Sequence, residues 1–98
     1  MKPICIFGIF VADLCFFSHT IPLRGQTVLG SKHLVGPGGK GSNQAIAAAR
    51  LGGDVKFITK LGKDNHAEMA LALYKNSGMQ TDTIIQDSNL TTGVAGIM

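Results

Sequence analysis

The chain has 98 residues, 45% of them hydrophobic, with 13 glycines and only 15% charged residues, where roughly 25% charged is ordinary. This length limits it to one small domain or a piece of a larger one, and the composition excludes a disordered chain or a coiled coil. Its net charge of +3 comes from scattered lysines and arginines, and the aromatics are five Phe and Tyr74, which makes no nucleic-acid footprint.

Taken in chain order, Ile4 to Phe10 is a continuous apolar run ending near Asp13, the pattern of a strand buried on both faces in a parallel sheet. From Leu14 to Val35 the pattern loosens around Pro22, Gly25 and Gly30, and Thr27 to Val35 reads as an exposed strand. Gly36-Pro37-Gly38-Gly39-Lys40-Gly41 follows as a glycine-rich loop. The alanine-rich stretch from Asn43 to Leu51 predicts a helix stopped by Gly52. Val55 to Thr59 reads as a strand, and Asp64 as the N-cap of an amphipathic helix over Asn65 to Asn76. Thr83 to Ile85 and Thr92 to Met98 read as two further strands. Alternating strands and helices behind a glycine-rich turn are the mark of an α/β fold with a parallel sheet.

Cys5 and Cys15 lie in apolar runs without CxxC spacing, which reads as two buried, reduced thiols. Lys2 before an apolar run resembles a signal peptide, but Asp13 interrupts the run and no small-x-small cleavage site follows. No stretch reaches the roughly 18 apolar residues of a membrane span. A cytoplasmic protein is expected, with neither membrane nor nucleic acid as partner. The low charge and the apolar ending Val94 to Met98 further predict that covering chain is missing.

A glycine-rich loop that opens a helix lets a ligand approach the backbone and the helix's free N–H groups. Gly36, Gly38 and Gly41 satisfy GxGxxG, yet Asp54 precedes the next strand and Lys60 follows it, so the acidic residue of a dinucleotide site is misplaced. A Walker loop fails because Gly41 follows Lys40 where Ser or Thr is needed. A plain turn stays open as a reading.

The run Gly38-Gly39-Lys40-Gly41-Ser42-Asn43-Gln44-Ala45, continued to Gly52, resembles the first signature of the ribokinase-like (PfkB) carbohydrate kinases. Gly8 to Asp13, Pro22-x-x-Gly25-Gln26-Thr27, Leu61-Gly62-Lys63-Asp64 and Thr91-Thr92-Gly93-Val94-Ala95 fall in the family's order, so the resemblance covers essentially the whole chain. It implies a three-layer αβα, Rossmann-like sheet with a small β lid, of which residues 1–98 form the N-terminal, sugar-binding portion. The lid would comprise about residues 14–35 and a strand from about 92, and would pair two subunits into a homodimer. The implied activity is transfer of the ATP γ-phosphate to a primary hydroxyl of ribose or a related sugar. Asp13, Gly39, Lys40 and Asn43 would bind the sugar. ATP and Mg2+ would be held mainly by a C-terminal portion outside this chain, which carries the catalytic residues, and a monovalent cation stays open. The chain alone is expected to be inactive.

Each site residue also has a plainer reading: Asp13 as a strand-end cap, Asn43 as a helix N-cap, Lys40 as a solvated loop charge. Two positions depart from the family pattern. Val11 replaces the usual Asn two residues before the aspartate and removes one hydroxyl contact, and Ala67 replaces a turn glycine. Val11 therefore keeps a fructokinase- or nucleoside-kinase-like relative in view, and a non-catalytic sugar-binding or dimerising module is the reading from outside the enzyme class.

Overall fold

The computed structural model describes residues 2–98. Along the chain it forms β1 (Ile4–Phe7), β2 (Val11–Phe17), β3 (Lys32–Gly38), α1 (Lys40–Arg50), β4 (Val55–Leu61), α2 (Asn65–Asn76), β5 (Ile84–Gln86) and β6 (Val94–Ile97). β1, β4 and β5 make a parallel sheet in the order β1-β4-β5, with Ile4 opposite Val55 and Thr59 opposite Ile84. A second sheet has the order β3-β2-β6, in which β2 is antiparallel to β3 and parallel to β6.

β4 shows why the first sheet is a layer with helices on one side. Val55, Phe57, Thr59 and Leu61 alternate inward and are buried, as a period of two requires. Ala45, Ile46 and Ala49 of α1 and Ala67, Ala70 and Tyr74 of α2 share their core. Tyr74 is the centre of that core, with Phe57 and Phe10 set edge-on at ring-centroid distances of 5.6 and 6.4 Å. Its hydroxyl lies 2.8 Å from the Ser42 hydroxyl, so the two buried groups satisfy each other. Burial pushes the Tyr74 phenol above its ordinary 10.0, against the Ser42 hydrogen bond, and keeps it neutral. The opposite face of the sheet is bare: Phe7 is 85% exposed and Ile85 58%, and with Ile58 they line an apolar hollow of about 290 Å3.

The helix boundaries follow local chemistry. Asp64 caps α2 by accepting from the Ala67 N–H at 2.9 Å, as its position before the apolar run predicts. Gly52 and Gly78, both at positive φ, stop the two helices. The carboxyl of Asp64 is held below its ordinary 3.8, first by the Thr92 N–H, then by the Ala67 N–H and the Thr92 hydroxyl.

Several boundaries differ from the sequence reading. The apolar run from Ile4 is not one buried strand. It breaks at Gly8–Phe10, where the chain leaves the parallel sheet, and β1 is an edge strand with one uncovered face. Asp13 accordingly stands in the middle of β2 and caps no strand end. β3 begins at Lys32 and absorbs Gly36-Pro37-Gly38, because an edge strand tolerates proline's missing N–H. α1 starts one turn early, at Lys40. Neither cysteine is buried, since Cys5 is exposed and Cys15 half-buried, and both are free.

Two predictions follow from the core and the cap. Ser42→Ala or Tyr74→Phe each orphans one buried hydroxyl and is expected to cost about 1–3 kcal/mol in urea unfolding. The double variant should cost less than the sum, and strictly additive losses would show that the pair makes no joint contribution. Because the Asp64 carboxyl is lowered by folding, its contribution is complete above 3.8 and fades as pH falls below it. Melting curves taken downward from about pH 5 should show a smaller acid loss for Asp64→Asn than for the unaltered protein.

Candidate functional site

The two sheets meet where β2, β3 and α1 converge, and three of the four residues singled out in the sequence lie there. β2 is the central strand of its sheet, pairing Asp13 with Gly36 of β3 and with Ala95 of β6. Alternation puts Val11 and Asp13 on one face of the sheet together with Gly36 and Gly38. Gly38 is the floor beneath the carboxylate: a Cβ built there would lie 2.5 Å from Asp13 Oδ1 and 2.6 Å from Oδ2. Any side chain at position 38 must therefore displace the carboxylate.

Gly39 turns the chain from β3 into α1 with φ 97°, a region that L side chains rarely adopt. A Cβ there would also strike the Ile9 carbonyl oxygen and approach Phe10 Cα to 3.1 Å. Gly39 is the N-cap of α1 and offers no side-chain acceptor, and the first turn holds no acidic residue. The Ser42 hydroxyl is engaged with Tyr74. The N–H groups of Lys40, Gly41 and Ser42 thus have no intrahelical acceptor, and the positive end of the helix opens at the junction. Lys40 is exposed and adds a mobile positive charge.

Asn43 lies one helical turn further on, exposed, where it lines a hollow of about 220 Å3 with Pro37, Ile46, Ala47, Arg50 and Leu73. It is not the N-cap, a place taken by Gly39. The structure thus brings Asp13 to Gly38 and Gly39 at the start of α1, which Lys40 opens, whereas Asn43 lines a separate hollow with Pro37. Gly38 escapes a reading of the sequence as a site residue, because its partnership with Asp13 exists only through the β2–β3 register.

Chemically, the junction combines a carboxylate acceptor, backbone donors and an ammonium group around bare glycine backbone. That set matches vicinal hydroxyls, each of which both donates and accepts. The largest hollow described, about 450 Å3 between Phe16, Phe17, Val28, Lys32, His33 and Met98, lies at the other end of β2 and lacks such a set. Among the described residues, no three His, Cys, Asp or Glu side chains gather as metal ligands. No helix among them is long and apolar enough to cross a membrane.

The chain is 40% identical to ribokinase of Bacillus subtilis over 98 residues, covering 100% of this chain and 33% of the relative. It superimposes on Arabidopsis thaliana ribokinase complexed with ribose and ATP with a TM-score of 0.87 at 30% identity, covering 96% of this chain and 31% of that one. Xylella fastidiosa fructokinase with bound ATP gives a TM-score of 0.79 at 32% identity, covering 97% and 29%. The chain therefore spans a third or less of the length of the curated relatives it matches. These structures share the ribokinase fold, to which the parallel layer and the second sheet described above conform. The profile of the pfkB family carbohydrate kinases matches residues 1–98, and the chain belongs to that family.

Proposed function

We propose that the chain is the sugar-binding portion of an ATP-dependent kinase of the ribokinase type, which transfers the ATP γ-phosphate to a primary hydroxyl of ribose or a related sugar. The observation that carries this reading is the Asp13 carboxylate lying over Gly38 beside the uncapped N-terminus of α1. Asp13 accepts from sugar hydroxyls, the Gly39–Lys40 backbone and the Lys40 ammonium donate to them, and Asn43 reaches the sugar from the first turns of α1. The relatives support it by name, one of them as a complex with ribose and ATP.

The phosphate donor and Mg2+ would be held by the part of the family's length that this chain does not span, where Mg2+ would supply neutralisation of charge on the transferred group. The second sheet is the lid. Its closure over the sugar excludes water from the transfer. Phe16, Phe17, Leu34 and Val94 on the lid are all well exposed, and pairing of two lids in a homodimer would cover such residues. The protein works in the cytoplasm.

Val11 favours a second reading. It shares the Asp13 face and contributes no polar atom, so a hydroxyl next to those held by Asp13 finds no partner on β2. A fructokinase- or nucleoside-kinase-like specificity fits that gap, and a fructokinase is among the structural neighbours.

The test is sugar-dependent ADP release by the full-length protein over a panel of pentoses, fructose and nucleosides. Asp13→Asn and Gly38→Ala are each expected to lower kcat/KM by about 10- to 100-fold, with the fold intact by circular dichroism. Sugar binding without ADP release would identify a non-catalytic module, and no sugar binding at all would overturn the reading. In the active protein, Val11→Asn is expected to raise the ribose-to-fructose ratio of kcat/KM about tenfold. An unchanged ratio clears Val11 of any part in the choice of sugar.

A further inference from the structure

Asp64 does more than a helix cap requires. Capping α2 takes one acceptor for the Ala67 N–H, which Oδ1 supplies at 2.9 Å. The same carboxylate also binds Thr92 twice: Oδ2 accepts from its N–H and Oδ1 from its hydroxyl, both at 2.8 Å. The Thr92 hydroxyl in turn accepts from the Gly62 N–H at 3.0 Å. The cluster is tightly packed, since a Cβ on Gly62 would lie 2.9 Å from both the Thr92 nitrogen and Asp64 Oδ2.

Thr92 occupies a particular place in the chain. It is buried and stands at the end of the segment that crosses from β5 in the parallel sheet to β6 in the second sheet. The next carbonyl, of Gly93, accepts from the Ala12 N–H at 2.9 Å, and β6 then pairs Ala95 with Asp13. One carboxylate thereby connects the first turn of α2, which is fixed in the core through Ala67, Ala70 and Tyr74, to the strand that flanks Asp13. The other two crossings, at Gly8–Phe10 and Gly39, press backbone against backbone, as Gly62 also does against Leu90 here, but this crossing is held by a side chain as well.

We propose that Asp64 is a positioning residue for the sugar site: through Thr92 it sets where β6, and with it β2 and the Asp13 carboxylate, stands relative to the N-terminus of α1. The effect on substrate rests on the reading of Asp13 as a sugar ligand, while the effect on the sheet does not. A hydrogen-bonded pin at a crossing fixes the sheet's inclination at one point and leaves the rest of the sheet free to move about it. Loss of the pin moves the carboxylate relative to the backbone donors of Gly39 and Lys40, and a misplacement of about 1 Å at a reacting site is costly.

Two substitutions in the full-length protein separate pin from cap. Thr92→Val removes the hydroxyl at nearly constant shape and leaves the Ala67 cap bond in place. Asp64→Ser keeps an N-cap acceptor but is too short to hold Thr92 as well. Amide hydrogen exchange at Ala12 and across β6 is expected to quicken about tenfold or more in both, with the first turn of α2 unchanged in Thr92→Val. The sugar KM should rise about tenfold while kcat stays within about threefold. Thr92→Ser, which retains the hydroxyl, should restore both values. Lower thermal stability with unaltered β6 exchange and KM overturns the proposal, as does faster exchange with an unaltered KM. An unaltered protein that binds no sugar overturns the reading of the site, and the exchange rates then decide the pin by themselves.

Discussion

Where the chain turns from β3 into α1, Gly39 runs against the carbonyl of Ile9 and the Cα of Phe10 with no room for a side chain between them. Gly8 and Gly41 repeat the contact a step away, where a Cβ on either would lie only 3.0–3.1 Å from the other's Cα. This double crossing of bare backbone fixes the relation between the two sheets. It puts the N-terminus of α1 within the same small volume as the middle of β2, so that a carboxylate on one element and free N–H groups on another converge without either being on a long loop. Phe10, between the two crossing glycines and buried edge-on against Tyr74, anchors that arrangement in the apolar core.

The two sheets divide the work. The parallel layer is well packed, with two helices on one face and the Tyr74–Ser42 pair satisfying its buried hydroxyls. The second sheet carries Asp13 but little covering structure of its own, and much of its apolar surface is open. A site built across such a boundary takes part of its geometry from each sheet.

Both helices, their ends and the start of α2 are legible in the sequence because their signals are local: alanine-rich or amphipathic spacing, Asp64 ahead of α2, and Gly52 and Gly78 after the last turns; the start of α1 at Lys40, with Gly39 as a cap without a side chain, is not. The split of the first apolar run is not legible. Ile4 to Phe10 has no change of period at Gly8, and only the distant partners Val55 for β1 and Val94 for β2 reveal two strands. β3 is longer than its composition suggests because an edge strand accommodates Pro37 and the glycines. Asp13 and the Gly39–Lys40 turn stand out through their resemblance to a known signature. Gly38 beneath Asp13, and Thr92 in the grip of Asp64, depend on register and on contacts 25 or more residues apart, which no local pattern carries.

The parallel pairing of β2 with β6 has a consequence for how the molecule forms. Ala12 faces Val94, so the second neighbour of the strand bearing Asp13 comes from a distant part of the sequence, after both helices and β5. Closing so long a loop costs entropy before any contact repays it, and topologies rich in such pairings fold slowly. The hairpin of β2 and β3 is far more local and can assemble first, yet it lacks its third strand until the β5–β6 segment docks. The three-stranded sheet around Asp13 is therefore complete only once residues 94–97 have docked beside β2.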